Sequence, residues 1–317
     1  MSRKRANILD LLKETIREWR EDGANRLAAA LAYYTTFSLA PLLVLIIAIA
    51  GLVGGREAAQ SRTMAQVQDL LGADGREFVE GMIESASQPE TGLAATFIGA
   101  VTLLFGALGV FGELQNSLNT IWEVKPKPAR NWIDGVRRFV VRRLLSFTMV
   151  LGIGFLLLAS LVISAAVGAF GEYVGNRWPL ADFWLGLINF IISFLVITFL
   201  FAMIFKFLPE IKIAWKDVWL GAAVTSALFS LGKFLIGLYL GRSQVGNTFG
   251  AAGSMAILLI WVYYSAQILF LGAEFTQVYA SRYGSRIVPD PDIVKLSEIE
   301  RAEKGIPHEK KMANLGR

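Results

Sequence analysis

Three ionisable side chains could do chemistry inside an otherwise apolar chain. Lys233 interrupts one apolar run, and Glu113 and Glu274 each close another. An ammonium held away from bulk water calls for an anion or a water-filled cavity, and a carboxyl there exchanges a proton or a cation. Neutral polar residues accompany them. Thr102, Gly106, Gly109 and Glu113 recur at helical spacing along one face, and Tyr263, Gln267 and Glu274 along another. Asn116, in the run Glu113-Leu114-Gln115-Asn116, and Asn189, close to Lys233 in depth, complete a candidate pathway. Such stripes line a route through a transporter. They also hydrogen-bond helix to helix in ordinary bundles, which is the commoner use.

Little else in the 317 residues suits catalysis. There is no cysteine, hence no disulfide framework, thiolate metal site or thiol nucleophile, and the single histidine, His308, lies in a polar tail. A catalytic zinc needs several protein ligands together. Metal-free hydrolysis needs an acid and a base at one reacting group. Neither set is visible, so the expectation is a protein that is not an enzyme and has no metal or cofactor.

The elements that must position these residues are apolar runs at 35–53, 93–112, 144–167, 184–205, 218–240 and 251–273, with Lys233 their one charged residue. Crossing a hydrocarbon core ~30 Å thick takes about 20 apolar helical residues, and a helix satisfies its own backbone groups in lipid. The expected fold is all-α and polytopic, with six transmembrane helices over 35–280. Residues 1–34 are expected to be cytoplasmic or interfacial, and 281–317 a disordered cytoplasmic tail. No cleaved signal peptide is apparent, so the first span is expected to be retained.

Lysine and arginine give the orientation. Seven lie in 1–34, seven in 113–143, three in 206–217 and eight after 273, against three, one and one in the intervening segments. That asymmetry places both termini in the cytoplasm. It also accounts for the net charge of +5 without a nucleic-acid partner. The partners expected instead are the bilayer, anionic lipids at its cytoplasmic face, and a small ion or lipid as substrate. A homo-oligomer is compatible with all of this.

Between the spans, residues 6–21 form an amphipathic helix with Ile8, Leu11, Leu12, Ile16 and Trp19 on one face. It suits either the membrane surface or the protein's own loops. Asp22-Gly23-Ala24-Asn25 breaks it, and Pro41 starts or kinks the first span. Residues 54–92 read as an outer helical hairpin, with apolar faces at Met64, Val67, Leu70, Leu71 and at Phe78, Val79, Met82, Ile83, divided by Gly72-Ala73-Asp74-Gly75. The glycine-rich run 237–254 reads as a close-packed hairpin, with neither the strand nor the Gly-Lys-Ser/Thr of a phosphate loop.

Ala222, Ser226, Ser230, Lys233, Gly237 and Gly241 share an arc of about 100° at 100° per residue. Small residues mark close helix approach, so Lys233 is expected to turn into the bundle. It lies ~10 Å from the outer end of its span at 1.5 Å per residue. Snorkelling to the outer interface is the alternative. Glu113 and Glu274 sit ~20 Å away along the bundle by the same rise, too far for an ion pair.

Three segments together resemble the YihY/BrkB family of bacterial inner-membrane proteins. They are ALAYYTTFSLAPLL at 30–43, FGELQNSLNTIW at 111–122 and GAAGSMAILLIWVYYSAQILFLGAEFTQVYASRYG at 250–284. The resemblance covers roughly residues 10–285 and implies a six-helix bundle with cytoplasmic termini in the inner membrane. Labels attached to the family include virulence factor, transporter and, from older usage, ribonuclease BN. A ribonuclease is not expected, because the chain lacks the clustered ligands or acid–base pair that RNA cleavage needs. Two functions stay open. One is transport of a small ion or an anionic envelope lipid along a polar path. The other is a non-transporting envelope-assembly or resistance scaffold.

Overall fold

The computed structural model describes residues 8–87, 109–126, 131–133, 135–137, 141, 152, 181–242, 251–284, 288–289 and 293–295. Thr102, most of the expected spans 93–112 and 144–167, the run 243–250 and the Asn189 side chain lie outside the described residues. The described helices are α1 (Ile8–Glu21), α2 (Ala24–Gly54), α3 (Arg56–Ser87), α4 (109–121), α5 (Ala181–Phe207), α6 (Trp215–Arg242) and α7 (Ala251–Arg282). Four are long and apolar enough to cross a membrane, over Ala24–Ala48, Gly186–Phe207, Trp215–Leu235 and Met255–Arg282. The chain is thus nearly all helical where described, as hydropathy predicts.

α2 starts at Ala24, well before the apolar run, and Pro41 lies inside it rather than at its start. Gly23 breaks α1 from α2 with φ 65°, a left-handed backbone that glycine adopts without steric cost. In the stretch expected to form a hairpin, α3 runs from Arg56 to Ser87 and bends at Gly72 with φ 80°. Its buried Met64, Val79 and Ile83 pack with Leu43, Ile47 and Ala50 of α2 and Leu258 and Val262 of α7.

α6 and α7 interlock through a reciprocal pair of Gly-x-x-x-Thr steps. Thr276 fills the space over Gly221, where an added Cβ would lie 1.8 Å from its Oγ1, and Thr225 fills that over Gly272, at 1.9 Å. Each threonine donates its hydroxyl to the carbonyl of the glycine one turn back on its own helix, at 2.7 Å. Neither threonine hydroxyl is left unsatisfied, and the two backbones approach as small residues permit. Further along, Gly232 takes up Tyr264 and Ile268.

This seam corrects the orientation expected for Lys233. Ala222 and Ser226 are buried, but between 227 and 235 only Gly232 is. Lys233 is one residue, or 100°, past Gly232, and it is exposed along with Leu231, Phe234 and Leu235. The small residues chosen in the sequence omit the threonines, so they misplace the contact face.

α1 seats Leu11 on Phe275 and Val278 of α7, and Glu14 pairs with Arg282 at 2.6 Å. Its Ile8, Leu9, Leu12 and Ile16 remain exposed. A Leu11→Ala change is expected to loosen this seat by about 2–3 kcal/mol, the lower part of the range for a buried leucine. Faster amide exchange confined to 8–21 would register it, and unchanged exchange would mean the helix is held elsewhere.

Two short antiparallel ladders close the same end of the bundle. β1 (Val124–Pro126) pairs with β4 (Ile293–Lys295), and β2 (Ile211–Lys212) with β3 (Val288–Pro289). Residues 288–289 and 293–295 fall in the stretch expected to be disordered, and this corrects that expectation. Their β-branched residues supply the β preference, and the loops after α4 and α5 supply the edges. The loop after α5 is itself fixed, because Gln115 donates to the Leu208 carbonyl (3.1 Å) and the Glu210 amide donates to Asn119 (2.9 Å). Val294→Pro is expected to speed proteolytic cleavage around 285–295 while moving bundle stability by about 1 kcal/mol or less. Equal loss in both measurements would make the ladder part of the core.

Candidate functional site

Glu274 lies on α7 between Ala273 and Phe275 and is 0 % exposed. Asp22, in the turn joining α1 to α2, is 2 % exposed. Its turn is held by the Asp22 amide donating to Glu18 (2.8 Å) and the Gly23 amide donating to Arg20 (3.2 Å). With α1 folded onto α7, Asp22 is near enough to act on the Glu274 carboxyl electrostatically. Neither oxygen of Glu274 has a hydrogen-bond donor. A carboxylate can only accept hydrogen bonds, and Glu274 is offered none.

The surroundings deepen the negative charge. Glu18 and Glu123 act on Glu274 in the same sense as Asp22. Burial holds the half-buried Glu18 carboxyl above the usual carboxylate range, against the opposing hydrogen bond and charge of Arg17. Arg17 also pairs with Glu14 and Glu21. Glu123 follows α4 with φ 52°, a backbone uncommon outside glycine. Seven residues before Glu274, on the same face of α7, Gln267 donates to Asn25 at 2.7 Å. The Gln267 carbonyl oxygen is buried without a partner, as are the indole N–H groups of Trp19 and Trp122. Both indoles pack into the core that holds Ala24, Phe270 and Ala273. Unpaired buried polar atoms are rare in folded proteins, and their concentration here marks the region.

Glu274 thus feels the charges of Asp22, Glu18 and Glu123, and Gln267 is hydrogen-bonded to Asn25. It does not draw the remaining candidates into that group. Glu113 is half-buried on α4, Asn116 is exposed, and Tyr263 and Lys233 are exposed on α7 and α6. Sequence reasoning missed Asp22, because an Asp-Gly pair after an amphipathic helix reads as a solvated turn. Among the described residues no three His, Cys, Asp or Glu side chains come together to hold a metal ion.

Long apolar helices, tight small-residue packing and an unpaired carboxyl within a span define a helical membrane protein. The chain belongs to the virulence factor BrkB family, whose family model matches residues 15–295. Relatives include a UPF0761 membrane protein of Stenotrophomonas maltophilia, 28% identical over 285 residues, which are 88% of this chain and 63% of the relative. One from Methylibium petroleiphilum is 26% identical over 90% of this chain and 65% of its own length. Another, from Alcanivorax borkumensis, is 22% identical over 83% and 58% respectively. The chain thus spans less than two thirds of the length of these curated relatives. No solved structure matches it.

Proposed function

We propose that this protein is a transporter of a small ion in the bacterial inner membrane, with six spans and both termini cytoplasmic. Its substrate or coupling ion engages Glu274 at the inner end of a polar path between helices. The carrying observation is the Glu274 carboxyl, fully buried with no donor to either oxygen. An intramembrane acid without a partner is costly and is kept where it serves a pathway or relay. Gln267, on the same face of α7, continues that polar line, and Asp22 closes it toward α1. Anionic lipids against the basic inner segments remain the expected lipid partners, and no catalytic step is assigned.

Reconstitution tests this. Liposomes carrying the wild type should pass H⁺, Na⁺, K⁺ or Cl⁻ under an imposed gradient. Absence of every such flux ends the proposal for those ions. Lys233→Met should retain flux within about twofold and stability within about 0.5 kcal/mol, as exposed positions usually do. A tenfold loss of flux in that variant would return Lys233 to the pathway.

The scaffold reading has one observation in its favour, the exposed Ile8, Leu9, Leu12 and Ile16 of α1. It predicts a phenotype from substitutions there and none from Glu274→Gln.

A further inference from the structure

We propose that the outward face of α1 is a binding surface for anionic phospholipid. Lys13 and Arg20 hold the headgroups, and Ile8, Leu9, Leu12 and Ile16 enter the acyl boundary of the adjoining leaflet. The inference rests on the membrane class of the chain and is independent of any transport.

The helix has three sides. Leu11 and Thr15 form the buried one, with Leu11 seated on Phe275 and Val278. Ile8, Leu12, Ile16 and Leu9 then span an arc of about 100° at 100° per residue. All four are exposed, Ile8 by 69 % and Leu9 by 66 %. Within the next ~40° come Arg20 and Lys13, both exposed, and neither makes an ion pair among the described residues. The glutamates are engaged elsewhere. Glu14 pairs with Arg282 on α7, and Glu14, Glu18 and Glu21 draw Arg17 to their side of the helix. The apolar arc is therefore bordered on its open side by two unengaged cations, the charge pattern of a helix lying on an anionic surface.

The position of α1 supplies the surface. Gly23 joins it directly to α2, whose membrane-crossing segment begins at Ala24. Its seat at Phe275 and Val278 falls in the last turns of the crossing segment Met255–Arg282. Aromatic residues mark the same end of the bundle. Phe207 closes α5, and Trp215 and Trp219 open α6, all exposed, with Lys206 Nζ 5.5 Å from the Trp215 ring centre. Tryptophan and lysine at the ends of spans sit at headgroup level. A separate segment repeats the composition of α1, with Trp132, Ile133, Val136 and Arg137 exposed together. A second copy of the chain suits the α1 face less well. A twofold contact uses the same patch on both copies and would set Lys13 and Arg20 against their own counterparts, whereas anionic headgroups neutralise them.

The chain has no cysteine of its own, so a single introduced thiol carries a spin label at one known place. In nanodiscs containing phosphatidylglycerol, labels on Leu12→Cys and Ile16→Cys should be relaxed more by oxygen than by a water-soluble nickel chelate. A label on Asp10→Cys, beyond Lys13 on the helix, should show the reverse. Amide exchange over 8–21 should be slower with phosphatidylglycerol than with phosphatidylcholine alone. Lys13→Gln and Arg20→Gln should each give back about fivefold of that protection, the worth of one basic residue at an anionic surface. Raising salt to about 1 M, where screening reaches within ~3 Å, should erase the difference between the lipids. Labels at Leu12 and Ile16 that favour the nickel chelate overturn the proposal. So does equal exchange in the two lipids, or a lipid difference that survives both substitutions. Dipolar broadening between Leu12 labels on two copies would assign the face to a second copy and overturn it too.

Discussion

Glu274→Gln should abolish ion flux and at the same time raise the thermal stability of the purified protein. The amide keeps the shape of the acid, carries no charge and brings two N–H donors to a buried site where neither Glu274 oxygen has a donor. Pairing an acceptor buried without a donor is worth about 1–3 kcal/mol, so the variant should gain something in that range. Thermal unfolding in detergent, beside flux in liposomes, gives both results. A destabilised Glu274→Gln with flux intact would make Glu274 a structural residue and remove the case for a pathway there.

The seam between α6 and α7 gives the second large effect. Gly221→Ala places a methyl 1.8 Å from Thr276 Oγ1 and 2.8 Å from its Cβ, and Gly272→Ala meets Thr225 at 1.9 and 2.8 Å. The obstructing atoms belong to a stiff β-branched residue whose hydroxyl is tied to its own helix. Neither can swing aside, and the helices must separate. Overpacking of this kind costs about 1–3 kcal/mol per site, and the pair together should approach loss of folding. Because the steps are reciprocal, Gly221→Ala with Thr276→Gly should recover most of what Gly221→Ala loses. Recovery by Thr225→Gly instead would show that the register is different.

Much of this was legible from hydropathy and glycine. The four described spans, the break at Gly23 and the bend at Gly72 follow from run length and from backbone that only glycine takes easily. What escaped was tertiary. α2 begins eleven residues before its apolar run, at Ala24, because Arg26 and Tyr33 interrupt the hydropathy signal but not the helix. Asp22 looks solvated until α1 is folded over it. The contact face of α6 is set by Thr225 with Gly221 and Gly232, and a search for the smallest residues passes over a threonine. β3 and β4 are too short to show a period of two. Glu274 was identifiable, since a carboxyl closing an apolar run is conspicuous, but its acid neighbour was not.

The ladders also constrain the order of synthesis. β1 and β2 leave the ribosome long before β3 and β4, their partners, which follow α7 in the chain. Until then each loop carries a bare edge able to pair with another nascent chain. Ribosome-bound intermediates stalled after α7 but before residue 288 should therefore be the most prone to cross-pairing. A protease or chaperone patrolling the membrane would find its target there.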